Sequence, residues 1–191
     1  MIKIFNRRHP GFTLIETLIA ILVMALLLLI VLSSYLASQQ SYTQTDNRAE
    51  LTQNGRVILD RLERELRQAV TIVTILPADN SNPATIPHEI FFEDGHNTNQ
   101  LTYLRYFLDG TDLRRQSIVY YFTADPTNYV HYNDTDAYGQ SPQSQILSDG
   151  LVGEYVTVLN FYGQGVTTIA LQLTKDNKTI NLQTQFYGRN L

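Results

Sequence analysis

The feature that most restricts what this chain can fold into is the stretch from Lys3 to Leu36. A short basic leader carrying Lys3, Arg7 and Arg8 gives way to Gly11-Phe12-Thr13-Leu14-Ile15-Glu16, and after Glu16 no charged residue occurs before Asp46. Every residue from Leu18 to Leu32 is Leu, Ile, Val, Ala or Met. The apolar run opening at Phe12 approaches the roughly 20 residues with which a helix crosses the hydrocarbon core of a bilayer. It reads as a membrane anchor, with the rest of the chain as its cargo. Glu16 breaks the run. A lone acid near the centre of such a helix is unfavourable by about 2.5–3.5 kcal/mol, and by less toward its end. Glu16 is therefore either interfacial or matched by a partner that offsets its charge.

Ordinary explanations leave residues unaccounted for. A secretory signal has an apolar core of about 7–15 residues and a small-residue cleavage site, after which the core is discarded. This core is longer, and the nearest candidate site, Leu36-Ala37-Ser38, puts Tyr35 where a small residue belongs. A lipoprotein needs a cysteine to acylate, and the chain has none. A plain single-pass anchor gives no reason for Gly11, Phe12 and Glu16. The hexapeptide behind Lys3, Arg7 and Arg8 resembles the class III signal of type IV prepilins and type II secretion pseudopilins. That resemblance implies that a membrane peptidase cuts after Gly11, methylates the new amino group of Phe12 and leaves the apolar segment on the mature protein. It also implies that Glu16 serves assembly by meeting the amine of an adjacent subunit.

Charge sets the orientation and removes one class of partner. Taking the three leader cations from the chain's 14 Lys and Arg leaves 11 against 18 acids, a formal balance of −7. Nucleic-acid binding rests on clustered Lys and Arg, so nucleic acid is not an expected partner. Basic residues before the span, set against an acidic remainder, place the N-terminus in the cytoplasm and the C-terminal domain outside it. The absence of cysteine excludes disulfide and thiol chemistry; many major pilins staple a C-terminal loop, so the major-pilin role is the less expected one here.

Beyond the anchor, no Pro interrupts residues 12–76 and the only Gly is Gly55. One long helix is predicted, membrane-buried in its first half and amphipathic in its second. Leu51, Gly55, Ile58, Leu62, Leu66 and Ala69 recur at three- and four-residue steps, the period of one buried helix face. Asp60 with Arg64 and Glu63 with Arg67 stand four apart in the favourable order, each pair contributing about 0.2–0.5 kcal/mol, and the charged run reads as a solvated face. The β-branched residues from Thr71 to Ile75 and then Pro77 end the helix. Strands are predicted over 88–93, 101–108 and 113–122, with Asp109-Gly110 as a hairpin signal. Residues 123–150 lack periodicity and read as a long loop. A second sheet module follows over 155–162, 166–174 and 179–187, its last two arms turning at Asp176-Asn177. In those arms Ile169, Leu171 and Leu173 share one face, as do Ile180, Leu182 and Phe186. The amphipathic helix is the partner available to cover such faces.

The expected organisation is a leader 1–11, a transmembrane or filament-core helix 12–37, an amphipathic helical half 38–70, and an antiparallel β domain 71–191 with its long loop near 123–150. This is an α+β chain with a long N-terminal helix packed on antiparallel sheet, the pilin-like fold that the resemblance also implies. Leu62 to Ala69, Leu101-Thr102-Tyr103, Leu113-Arg114-Arg115, Phe161-Tyr162 and Gly188-Arg189-Asn190 resemble PilW-like minor pilins and J-type minor pseudopilins. Ala25 to Ser34 lacks the helix-breaking Pro or Gly that many major pilins carry there.

No catalytic constellation and no cofactor is expected. His9, His88, His96 and His131 stand at no metal-ligand spacing. Asp134 and Asp136, in Asn133-Asp134-Thr135-Asp136, are weak candidates for calcium and lack the downstream Gly and Glu of an EF-hand. Arg114-Arg115 with Tyr120-Tyr121 has the composition of a single-strand nucleic-acid platform, but an isolated basic pair on an acidic domain more often blocks aggregation at an edge strand. Two functions fit: a minor pilin or pseudopilin that primes or caps an extracellular filament, or a membrane-tethered extracytoplasmic binding module that does not polymerise. The partners implied are a prepilin peptidase/methyltransferase, other major and minor pilins or pseudopilins, an inner-membrane assembly platform and the membrane itself.

Overall fold

The computed structural model describes residues 13–96 and 100–188. The chain divides into two compact units, Met1–Asp46 and Asn47–Leu191. With no Pro from 12 to 76 and no Gly before Gly55, helix α1, Leu14–Gln68, begins in the first unit and runs without a break. Every described residue from Thr13 to Asp46 is exposed, including all the leucines of the apolar run. An 18-residue window of α1 has a mean hydropathy of 3.0, and α1 is, among the described residues, the one helix long and apolar enough to cross a membrane.

In the second unit the 3.6-residue period has the consequence the sequence implies. Leu51, Ile58, Leu62 and Leu66 are fully buried on one face of α1, with Ala69 just past its end, each leucine or isoleucine contributing about 1.5–3 kcal/mol by leaving water. Gly55 lies on the same face because a Cβ there would come 2.3 Å from Leu182 Cδ1 and 3.0 Å from Leu173 Cδ1. Two antiparallel sheets meet this face. The first contains β1 (Thr71–Ile72), β2 (Ile90–Glu93), β3 (Tyr103–Asp109), β4 (Asp112–Phe122), β5 (Asp125–Tyr129) and β6 (Gln143–Gly153). The second is the meander β7 (Val156–Tyr162), β8 (Val166–Lys175) and β9 (Lys178–Tyr187). Ile90, Phe92, Leu104, Tyr106 and Leu113 from the first sheet and Val156, Leu159, Phe161, Ile169, Leu171, Leu173 and Phe186 from the second join the helix in one core. The fold is α+β and pilin-like, a long N-terminal helix packed on antiparallel sheet.

Turn chemistry explains the hairpins. Asp109 pairs with Asp112 across Gly110-Thr111, and Gly110 has φ +64°, a conformation that glycine adopts without a Cβ clash. Lys175 pairs with Lys178 across Asp176-Asn177, whose φ values of 47° and 62° are the two positive values a type I′ turn requires and which Asn and Asp tolerate.

Three sequence expectations change. The long loop over 123–150 carries strands at both ends, β5 and the start of β6, leaving 130–142 as the connection. β5 includes Pro126 and pairs with β4 only at Tyr121 and Phe122, a place where a sheet tolerates proline. β6 runs along β4 with two register shifts, and its residues 143–151 are all exposed, so no apolar alternation announces it. β4 is not an edge strand, because β3 and β6 flank it; Arg114 and Arg115 therefore do not guard an edge. Finally, the helical ion pairs are Glu63 with Arg67 at 2.6 Å and Arg61 with Glu65 at 3.3 Å, and Asp60–Arg64 is not among the ion pairs of the described residues.

Among the described residues every buried core side chain lies between Leu51 and Phe186. A chain beginning at Gln40 is expected to be a soluble monomer with a mixed helix and sheet circular dichroism spectrum. A spectrum of helix without sheet, or solubility only in detergent, counts against that.

Candidate functional site

The N-terminal candidate is built by the first turn of α1. Thr13 precedes the helix and its Oγ1 accepts from the Glu16 N–H at 3.3 Å, while Glu16 Oε2 accepts from the Thr13 N–H at 3.3 Å. This reciprocal pair is a capping box, which satisfies two of the backbone donors that every helix start leaves open. The carboxylate also sits at the positive end of the helix dipole. Sequence reasoning passed over this local partner although Thr13-Leu14-Ile15-Glu16 before an apolar run is the signature of such a box. Gly11, Phe12, Lys3, Arg7 and Arg8 lie outside the described residues.

Two hydroxyls in the apolar half are satisfied by the helix itself. Thr17 Oγ1 donates to the Leu14 carbonyl at 2.8 Å and Ser33 Oγ to the Ile30 carbonyl at 2.9 Å. Both donors can therefore enter lipid without an unmet hydrogen bond. What remains exposed between Leu14 and Leu36 is a continuous apolar surface, of a size that marks a membrane or protein contact.

In the second unit the charged run of α1 does more than face water. Glu65 Oε2 accepts from the Tyr106 hydroxyl at 2.8 Å and from Arg115 Nε at 2.9 Å, and Glu63 Oε2 accepts from Thr184 Oγ1 at 3.0 Å. These bonds tie the helix to β3 and β4 of the first sheet and to β9 of the second. The Arg67 hydrogen bond holds Glu63 below its usual range, with burial opposing and Thr184 assisting. Arg114 turns to the other face and meets Asp149 at 2.7 Å. The two arginines thus point apart and are both neutralised, so they form no nucleic-acid platform.

The loop acids are occupied by the backbone. Asp134 Oδ2 accepts from the His131 N–H at 2.8 Å, and Asp136 Oδ1 accepts from the N–H groups of Tyr138 and Gln140 at 2.9 and 2.8 Å. Among the described residues no group of three or more His, Asp or Glu side chains is placed to hold a metal. His88 Nδ1 lies 2.9 Å from Asn160 Oδ1, His131 Nδ1 lies 3.2 Å from the Tyr103 hydroxyl, and His96 meets Gln68.

Two tyrosines give the domain an alkaline limit. Burial pushes the Tyr103 hydroxyl up from its ordinary value near 10 to about 12. Tyr106 moves the same way, through burial first and the Glu65 carboxylate second. The folded chain keeps protons that the unfolded chain releases, so this stability is full below about pH 10 and is lost as pH rises through the folded-state values. Melting temperature is expected to fall steeply above pH 10, and less steeply in Tyr103→Phe; parallel pH profiles for the two chains would contradict this.

A family profile described as the prokaryotic N-terminal methylation motif matches residues 6–32. Neither the comparison with curated proteins nor that with solved structures gives a match. The chain thus carries an N-terminal class III methylation motif typical of type IV pilin-like proteins, on an α+β pilin-like architecture. The motif implies interaction with a peptidase and methyltransferase system.

Proposed function

We propose that this chain is a minor pilin or pseudopilin, a subunit that primes or caps a type IV pilus or type II secretion pseudopilus. The observation that carries the reading is the methylation motif standing at the head of a single apolar helix. In this reading residues 1–11 are the leader, cleavage falls between Gly11 and Phe12, and Phe12 becomes N-methylated. Residues 12–37 hold the chain in the inner membrane and then in the filament core, while the domain after them lies outside the cytoplasm. Lys3, Arg7 and Arg8 keep the leader on the cytoplasmic side. The unbroken helix through Ala25 to Ser34 favours a minor subunit over a major one.

Glu16 is the assembly residue. The new amine of Phe12, with an unperturbed pKa of about 7.7–8, is largely cationic at neutral pH and gives a neighbouring subunit's carboxylate a partner in lipid. Removing one member of a buried pair strands the other at about 3–5 kcal/mol, so the pair selects register. Glu16→Leu is expected to be inserted, cleaved and retained in the membrane, but absent from sheared filaments, with Glu16→Asp intermediate. Thr13→Val separates this role from capping, because it removes only the cap, which contributes about 0.5–2 kcal/mol. It should assemble nearly as well as wild type. Assembly of Glu16→Leu at wild-type level, or an equal defect in Thr13→Val, would remove the intersubunit role.

A further inference from the structure

The outer face of the first sheet, turned away from α1, carries a groove of about 480 Å³. Cross-strand register puts Phe91, Arg105 and Gln116 in one row of that face, and Tyr103, Ile118 and Ile146 in the next. The floor is aromatic and held in place. Phe91 stacks on Tyr103 at 5.2 Å between centroids, and Tyr120 meets Phe91 and Tyr103 edge-on at 6.4 and 5.4 Å. The Phe91 backbone is fixed as well, its N–H donating to Thr74 Oγ1 at 2.8 Å and its carbonyl accepting from Val73 at 2.8 Å.

The rim is polar, but without net charge. Arg105 Nε donates to Glu89 Oε2 at 3.1 Å, and the guanidinium lies over the Phe107 ring at 4.7 Å. Gln116 Nε2 donates to Asp149 Oδ2 at 2.8 Å. Among the described residues Glu89 Oε1, Gln116 Oε1, Ser144 Oγ and the Tyr120 hydroxyl have no hydrogen-bond partner. The groove therefore offers several acceptors and hydroxyls around an apolar, ring-lined floor, the lining expected of a small-molecule site.

We propose that this groove binds an uncharged saccharide. A pyranose presents C–H groups on a face that packs against aromatic rings, and hydroxyls at its edge that both donate and accept. A charged ligand gains little, because the Arg105–Glu89 pair is already closed. Across the floor of the groove β2, β3, β4 and β6 spend their facing backbone groups on one another, so an extended peptide finds no ladder there and could add only along the outer edge of β6, which pairs with β4 alone. Recognition rests on side chains alone.

The test uses the full chain in lipid nanodiscs, followed by saturation-transfer NMR with cellobiose, lactose and N,N′-diacetylchitobiose. A sialylated lactose and an uncharged Val-Thr heptapeptide serve as comparisons. At least one neutral disaccharide is expected to bind with a Kd of about 1 mM or tighter. Phe91→Ala should weaken it at least tenfold. Because that ring also supports its neighbours, Ser144→Trp, at an exposed position, provides a second variant that fills the groove without entering the core, and it should abolish binding. No binding by any of the three disaccharides overturns the proposal. So does binding that survives Ser144→Trp, or tighter binding of the heptapeptide or the sialylated sugar.

Discussion

Gly11→Leu is expected to leave the full-length precursor in the membrane, with no mature protein. The bond cleaved in chains bearing this class of signal follows the glycine, and a peptidase subsite shaped for a residue without a side chain has no space for an isobutyl group. The apolar helix from Leu14 is unchanged, so insertion should persist while processing stops. Intact-mass measurement of membrane fractions separates the outcomes. Wild-type protein should begin at methylated Phe12, and the variant at its original N-terminus. If wild-type protein kept residues 1–11, or began elsewhere, the signal would not be a class III signal and Glu16 would lose its proposed amine partner.

Gly95→Val should strongly destabilise the domain. A Cβ at this position would lie 1.9 Å from the carbonyl oxygen of Gln68, the last residue of α1, whereas real Cβ atoms essentially never come within 3.0 Å. The obstacle is backbone, so no rotamer change relieves it. The same crossing is held by the Val70 N–H donating to the Glu93 carbonyl at 3.0 Å and the Asp94 N–H donating to the Thr102 carbonyl at 2.8 Å. Relief requires the end of β2 to move off the end of the helix, at the cost of these bonds and of packing at Ala69. Overpacking of this kind costs about 3 kcal/mol, or about 10 °C in melting temperature for a chain of this size. Gly150→Ala is the control, because a Cβ there meets nothing within 4 Å. Thermal melts of the chain beginning at Gln40 should show the first variant lowered and the second unchanged; equal melting temperatures would mean the helix end yields freely.

The sequence by itself determined the elements whose signals are local. The uncharged run before Asp46 is a property of consecutive residues, and so is the three- and four-residue spacing of Leu51, Gly55, Ile58, Leu62 and Leu66. The turns at Gly110 and Asp176-Asn177 depend on the φ values those residues tolerate. The motif around Gly11, Phe12 and Glu16 was legible for the same reason, and the Thr13 cap was legible too, though the motif's second meaning drew attention away from it.

Tertiary structure decided what depends on a neighbour. β6 is a strand because β4 offers it a backbone edge, not because its exposed side chains alternate, and β5 keeps Pro126 because it pairs only at its ends. Glu65 took Tyr106 and Arg115 as partners in addition to Arg61 on its own helix, since a carboxylate turned toward a sheet gains from fixed donors that no helical spacing announces. The same holds for Arg114 and Arg115. Adjacent in sequence, they read as one basic pair, and the two-residue period of a strand sends them to opposite faces and opposite acids.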